Sequence, residues 1–251
     1  MDNKPVFVLI HGAGLGGWCW QHVEEILTRN KFRVFSPTIS GVSEPTSKNT
    51  VIPTLKKYIQ ETIELIQSEK LQNVVLVGHS FGGMIITGVA DKITESISLL
   101  VYLDAAVPKD GDDFASHIPE ISHENAERRR KAFRAMARNG HWIDPIDPRL
   151  AGITDNKDIE WVKQLSEPHP VSTWLEKLYL NKPDDEMPPR TYVLATNPPT
   201  EIMGYPSQGL AAKSNSSWTY REIECGHAMM IVRPARTAEI LLETIQKLLA
   251  P

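Results

Sequence analysis

Gly78-His79-Ser80-Phe81-Gly82 follows the apolar run Val74-Val75-Leu76-Val77 and leads into Gly83-Met84-Ile85-Ile86. A serine bracketed by glycines, between an apolar strand and a helix start, suits a very tight turn. Side chains at the flanking positions would collide there, and the turn lifts the hydroxyl above the sheet. It also sets the next backbone N–H groups at a helix N-terminus, where an anion is stabilised. The expected chemistry is nucleophilic attack by Ser80, with the N–H of Phe81 as one donor to the developing oxyanion. The bland alternative is a chance glycine-rich turn, which the strand before and the helix after disfavour.

A nucleophilic serine needs a base to take its proton and return it to the leaving group. His227, in Cys225-Gly226-His227-Ala228-Met229-Met230, stands after the last strand and before the last helix. His79 is inside the tight turn, His11 borders another glycine-rich loop and His22 lies in the first helix. His117, His123, His141 and His169 fall in a stretch that departs from the main pattern. His227 is therefore the expected base. The other loop is His11-Gly12-Ala13-Gly14, directly after the first strand. Its expected role is a second oxyanion donor, the backbone N–H of Ala13; the alternative is a strand-to-helix turn without a ligand.

The acid that orients such a histidine usually follows the next-to-last strand. Here that strand leads to Ala195-Thr196-Asn197-Pro198-Pro199-Thr200-Glu201, with no aspartate at the turn. Asn197 cannot hold negative charge against an imidazolium, and two prolines and a threonine separate it from Glu201. One strand earlier, Leu100-Val101-Tyr102-Leu103 ends in Asp104-Ala105-Ala106-Val107-Pro108. A carboxylate there opens into the same crevice as the serine. Asp104 is the expected acid, with Glu201 and a serine–histidine dyad as alternatives. Its own alternative is a local capping or turn role.

These residues need a sheet to carry them. Val6–Ile10, Phe32–Pro37, Val74–Val77, Leu99–Leu103, Thr191–Ala195 and Trp218–Ile223 read as six strands. Helix-like stretches run from Trp20 to Arg29, Leu55 to Ser68, the segment after Phe81, and Arg233 to Leu249. The third follows the tight turn, and the last carries an apolar side. Alternation of this kind predicts an α/β fold with a mainly parallel six-stranded sheet flanked by helices. Between about residues 108 and 189 the pattern breaks into a charged, proline-rich, helical stretch without a convincing strand. We read residues 1–108 and 190–251 as the core and 109–189 as a helical cap inserted after the fourth strand. A second independent domain is the alternative. The expected pocket liners are Gly12, Phe133, Trp142, Trp161, Trp174 and Met229, although each aromatic could equally be core.

The chain has 251 residues and a net charge of -4. Arg128-Arg129-Arg130-Lys131 sits among Glu124, Glu127 and Arg134 and reads as a solvated helix face, so no nucleic-acid partner is expected. No signal peptide is read at the start, and no apolar run approaches the ~18 residues that span a bilayer. Two cysteines, Cys19 and Cys225, are too few for a disulfide framework and suggest a reducing, cytoplasmic setting. They lack zinc-site spacing, so no metal is expected, and the chemistry calls for no organic cofactor. A homodimer is compatible with this reading.

His11 to Trp20, Gly78 to Gly83 and Gly226 to Pro234 resemble the plant methyl-esterase and hydroxynitrile-lyase branch of α/β-hydrolases. Tyr102 to Pro108 is more similar to bacterial relatives of that branch, and to haloalkane dehalogenases whose acid follows the same strand. The resemblance covers roughly residues 5–108 and 190–250. Dehalogenases need an aspartate nucleophile, which Ser80 excludes. The lyases carry a threonine after the first-strand histidine and a lysine just after the late one, where this chain has Gly12 and Ala228-Met229-Met230. The resemblance thus implies a serine hydrolase acting on a small to medium hydrophobic carboxylic ester. Carbon–carbon bond hydrolysis or lysis, thioesterase, lactonase or cyclase activity, and a non-catalytic ligand receptor remain alternatives.

Overall fold

The computed structural model describes residues 4–39, 52–198, 200 and 203–249, the side chains of 247 and 249 excepted. Glu201 lies outside the described residues. In chain order the strands are β1 (Val6–Ile10), β2 (Arg33–Phe35), β3 (Val74–His79), β4 (Ile97–Leu103), β5 (Trp142–Ile143), β6 (His169–Pro170), β7 (Arg190–Ala195) and β8 (Trp218–Ile223). Six of them form one sheet in the order β2-β1-β3-β4-β7-β8. Every pairing in it is parallel.

Continuous apolar runs form β1, β3 and β4 because both faces of the sheet are covered there. Successive residues of a strand point to opposite faces. Val6, Val8 and Ile10 accordingly enter one buried cluster, and Phe7 and Leu9 the other. Leu100 and Tyr102 against Leu99, Val101 and Leu103 divide the same way. The helices flanking the sheet include α1 (Gln21–Arg29), α2 (Leu55–Ser68) and α3 (Gly82–Lys92). Leu55, Tyr58, Ile59, Ile63 and Ile66 make the buried stripe of α2, and Thr54 caps it by accepting from the Lys57 N–H at 3.1 Å.

β1 pairs with β2 on one side and β3 on the other, so the chain reverses its direction of winding between β1 and β3. In open parallel sheets, the crevice at the carboxyl ends of strands at such a reversal is where ligands bind. Ile10 is opposite Gly78, and His79 opposite Leu103. The register therefore brings the loops after β1, β3 and β4 to one edge.

Between β4 and β7 lie α4 (His123–Met136), α5 (Asn156–Leu165) and α6 (Val171–Leu175). β5 and β6 also form here, as an antiparallel pair with Trp142 opposite Pro170 and Ile143 opposite His169. The sequence reading expects no strand in this stretch. Two residues are too short to show alternation, and proline is tolerated in such an edge. A second departure is α7 (Tyr205–Ser214), a helix between β7 and β8 that the reading does not anticipate. It lacks a continuous apolar stripe, and its signals are Gly204 at φ +76° and Pro206 in its first turn. The expected helix over Arg233–Leu249 is divided into α9 (Pro234–Thr244) and α10 (Gln246–Leu249), and a short α8 (Met229–Val232) that the reading does not anticipate precedes it. Among the described residues no helix is long and apolar enough to cross a membrane.

Candidate active site

Ser80 follows β3 at φ +57°, a left-handed conformation unusual for a residue with a side chain. The turn is fixed from both sides. Ser80 N–H donates to Leu103 O at 3.3 Å, and Ser80 O accepts from the N–H of Gly83 at 3.2 Å and of Ala106 at 3.0 Å. A Cβ on Gly78 would come within 2.8 Å of the Gly82 backbone, so only glycine permits this approach. A Cβ on Gly12 would lie 2.8 Å from Ser80 Cβ and 3.3 Å from its Oγ. The loop after β1 thus rests directly on the serine. Among the described residues, the N–H groups of Ala13 and Phe81 have no hydrogen-bond acceptor.

Asp104 follows β4, fully buried and at φ +44°. Its N–H donates to Val193 O at 2.8 Å, and its Oδ1 accepts the Ala195 N–H at 3.3 Å. Its Oδ2 accepts the Nδ1–H of His227 at 2.6 Å. An ionised carboxylate can only accept, so this bond puts the imidazole proton on Nδ1 and leaves a lone pair on Nε2. Asn197, at the turn where the acid is usually found, is exposed, and its N–H donates to Cys225 O at 3.0 Å.

Two further histidines hold the loops. His79 Nε2–H donates to His227 O at 3.0 Å, and the two rings are 4.3 Å apart. Burial, with the neighbouring His227, holds the His79 pKa well below the usual histidine range, so the ring is neutral. His11 Nδ1–H donates to Gly12 O at 2.8 Å, and its Nε2 accepts the Ile39 N–H at 3.2 Å. Burial lowers its pKa to about 4. Both read in the sequence as poor candidates for the base, and both are fixed in neutral tautomers by backbone bonds.

Sequence reasoning misses Tyr205. Its hydroxyl lies 3.0 Å from Ser80 Oγ, and its ring stacks on that of His227 at 5.0 Å with 8° between the planes. The only signal is local, a glycine and a proline flanking an aromatic after β7. Nothing in the spacing ties it to residue 80.

Phe81 carries the aromatic surround. Its ring meets Phe114 at 5.3 Å and His169 at 5.0 Å. Trp174 packs on Phe114 at 5.2 Å and on Phe133 at 4.8 Å. Phe133 and Trp174, two expected liners, therefore join the group around Phe81. Trp142 is buried in β5 opposite Pro170. Trp161 packs at 5.1 Å on Trp18 in the opposite core cluster, where Met229 is also fully buried. Within the aromatic group, Thr173 donates its one hydroxyl proton to Pro170 O, so it accepts from His169 Nε2–H at 2.8 Å. His169 Nδ1 is then a bare acceptor. It, Tyr58 OH and Trp174 Nε1 are buried without a hydrogen-bond partner among the described residues.

The alpha/beta hydrolase family matches residues 7–240. A carbendazim hydrolyzing esterase of Nocardioides sp. (strain SG-4G) is 34% identical over 238 residues, 94% of this chain and 97% of that protein. Methylesterase 1 of Arabidopsis thaliana is 35% identical over 127 residues, about half of each chain at 47% and 48%. Among solved structures, an extracellular alpha/beta-hydrolase from a Paenibacillus species superposes with a TM-score of 0.78 at 23% identity, covering 96% of this chain and 98% of that one. With its parallel sheet, its serine turn and these likenesses, the chain belongs to the alpha/beta hydrolase family.

Proposed function

We propose that the protein is a serine hydrolase that cleaves carboxylic esters through an acyl-enzyme. The observation that carries the reading is the buried Asp104–His227 bond, set at the same sheet edge as the strained Ser80 turn. Ser80 Oγ attacks the ester carbonyl while His227 Nε2 takes its proton. Asp104 holds the Nδ1–H tautomer and stabilises the imidazolium. The N–H groups of Ala13 and Phe81 receive the oxyanion. His227 returns the proton to the departing alcohol, and water enters by the reverse sequence to free the acid. At rest, Ser80 Oγ is paired with Tyr205; catalytic hydrogen bonds often tighten only when substrate arrives.

Residues 109–189 act as a cap in this reading. Phe114 and His169, both from that stretch, cover the Phe81 ring, and Ala228 N–H donates to Ala151 O at 3.0 Å beside the His227 loop. The side chains around Phe81 are mostly apolar, with the polar atoms of Tyr58, His169 and Trp174 buried among them. That favours an ester whose acyl part is largely hydrophobic. Relatives named as esterases and methylesterases support the reaction class. A cytoplasmic site of action fits the two buried, unpaired thiols Cys19 and Cys225.

A fluorophosphonate probe should label wild-type protein on Ser80, and p-nitrophenyl esters of graded acyl length should be hydrolysed. Absence of labelling and of turnover in folded protein would overturn the reading.

A further inference from the structure

We propose that Tyr205 is a further catalytic residue, whose phenolic O–H donates to Ser80 Oγ and steadies the charge that oxygen carries as its proton moves to His227. This rests on the serine-hydrolase reading above.

The geometry sets up the contact. Tyr205 is fully buried, and its hydroxyl is 3.0 Å from Ser80 Oγ. At rest either oxygen can be the donor. Once the Ser80 proton is committed to His227 Nε2, only the phenol still has a proton to give. Burial pushes the Tyr205 pKa far above the ordinary phenol range, so that proton stays in place at any working pH. The bond then serves twice. In acylation it stabilises the serine oxygen as it loses its proton and attacks. In deacylation Oγ is the leaving group: the C–Oγ bond breaks, His227 returns its proton, and Tyr205 again faces the developing negative charge. A donor already aligned and buried needs no reorganisation to act.

The residue is also held. Gly204 at φ +76° turns the chain into α7, and a Cβ there would strike Ile118 at 2.5 Å. The Tyr192 hydroxyl lies 3.2 Å from Tyr205 O and 3.1 Å from Ala105 O, tying the start of α7 to the residue after Asp104. The parallel ring of Tyr205 offers its negative face to the imidazole of His227, which becomes positive in the same step. One side chain thus contacts the two groups on which opposite charges develop.

Tyr205→Phe removes the O–H and keeps the ring, the volume and the stack. The expected result is a fall of about tenfold to a hundredfold in kcat and in the rate of fluorophosphonate labelling, with KM little changed. Tyr102→Phe is the control for loss of a buried phenol. The Tyr102 hydroxyl pairs with Thr87 Oγ1 at 2.9 Å, and its removal should lower the melting temperature without changing labelling. Circular dichroism checks that both variants fold. Labelling and kcat within twofold of wild type in folded Tyr205→Phe would overturn the proposal, as would equal losses in both variants. Wild-type protein that takes no label would sink the serine-hydrolase reading instead.

Discussion

Asp104 Oδ2 and His227 Nδ1 are 2.6 Å apart, joining the end of β4 to the loop after β8 across 123 residues of sequence. The carboxylate is fully buried, and its other oxygen is taken by the Ala195 N–H. Both of its oxygens are therefore committed, one to fixing β7 and one to the imidazole.

This pair gives the sharpest test of the acid. Asp104→Asn preserves shape but presents an amide to His227, favouring the wrong tautomer. A loss of about three to four powers of ten in kcat is expected by analogy with other serine triads. Glu201→Gln should leave turnover near the wild-type rate. Steady-state kinetics on one p-nitrophenyl ester would decide, and the reverse pattern would move the acid to Glu201.

Gly12→Ala tests the contact between the loop after β1 and Ser80. The added methyl would lie 2.8 Å from Ser80 Cβ and 3.0 Å from His79 Nδ1. Neither neighbour is the far end of a flexible chain, so the serine turn or the loop must move. We expect at least a tenfold loss of kcat, with destabilisation of about 1–3 kcal/mol. Wild-type turnover in this variant would mean that the loop does not bear on Ser80.

Acid should destabilise the fold through its buried histidines. Burial lowers the pKa of His11 to about 4, of His117 to about 4 and of His169 to about 3. Each is neutral in the folded state and titrates near 6.5 when unfolded. The unfolded chain therefore binds more protons between these values, and stability falls as pH drops from about 6.5 towards 4. Each group should contribute a loss of roughly 2 kcal/mol between pH 7 and pH 5. Urea unfolding at the two pH values checks this; equal midpoints would mean that these rings are protonated in the native protein.

Much of the architecture is legible before any coordinates. Val74–Val77 and Leu99–Leu103 announce strands covered on both faces, and Leu55–Ser68 carries a helical apolar stripe at its observed bounds. Strand ends then rank the chemistry-bearing residues, which is why Ser80, Asp104 and His227 can be named from position alone. α7 is harder to read because it is pinned by Gly204, Ile118 and Tyr192 and not by a stripe of its own. Trp161 and Trp174 look alike in the sequence, but one packs on Trp18 beside α1 and the other on Phe114 beside Phe81. The faces to which the two rings turn are set by how α5 and α6 dock.

The sequence by itself determines the parallel sheet, the serine turn and the strand ends after which Asp104 and His227 stand. These follow from periodicity, glycine sterics and chain order, all of which are local. Only the tertiary structure decides that Ser80 Oγ pairs with Tyr205, that Tyr205 stacks on His227, and that Asp104 Oδ2 comes within 2.6 Å of the His227 imidazole. The Ser80–Tyr205 and Asp104–His227 contacts join residues 125 and 123 apart in the chain, and a hydrogen bond acts only within about 3 Å. Sequence spacing carries no such distance; the register of β3, β4 and β7 supplies it.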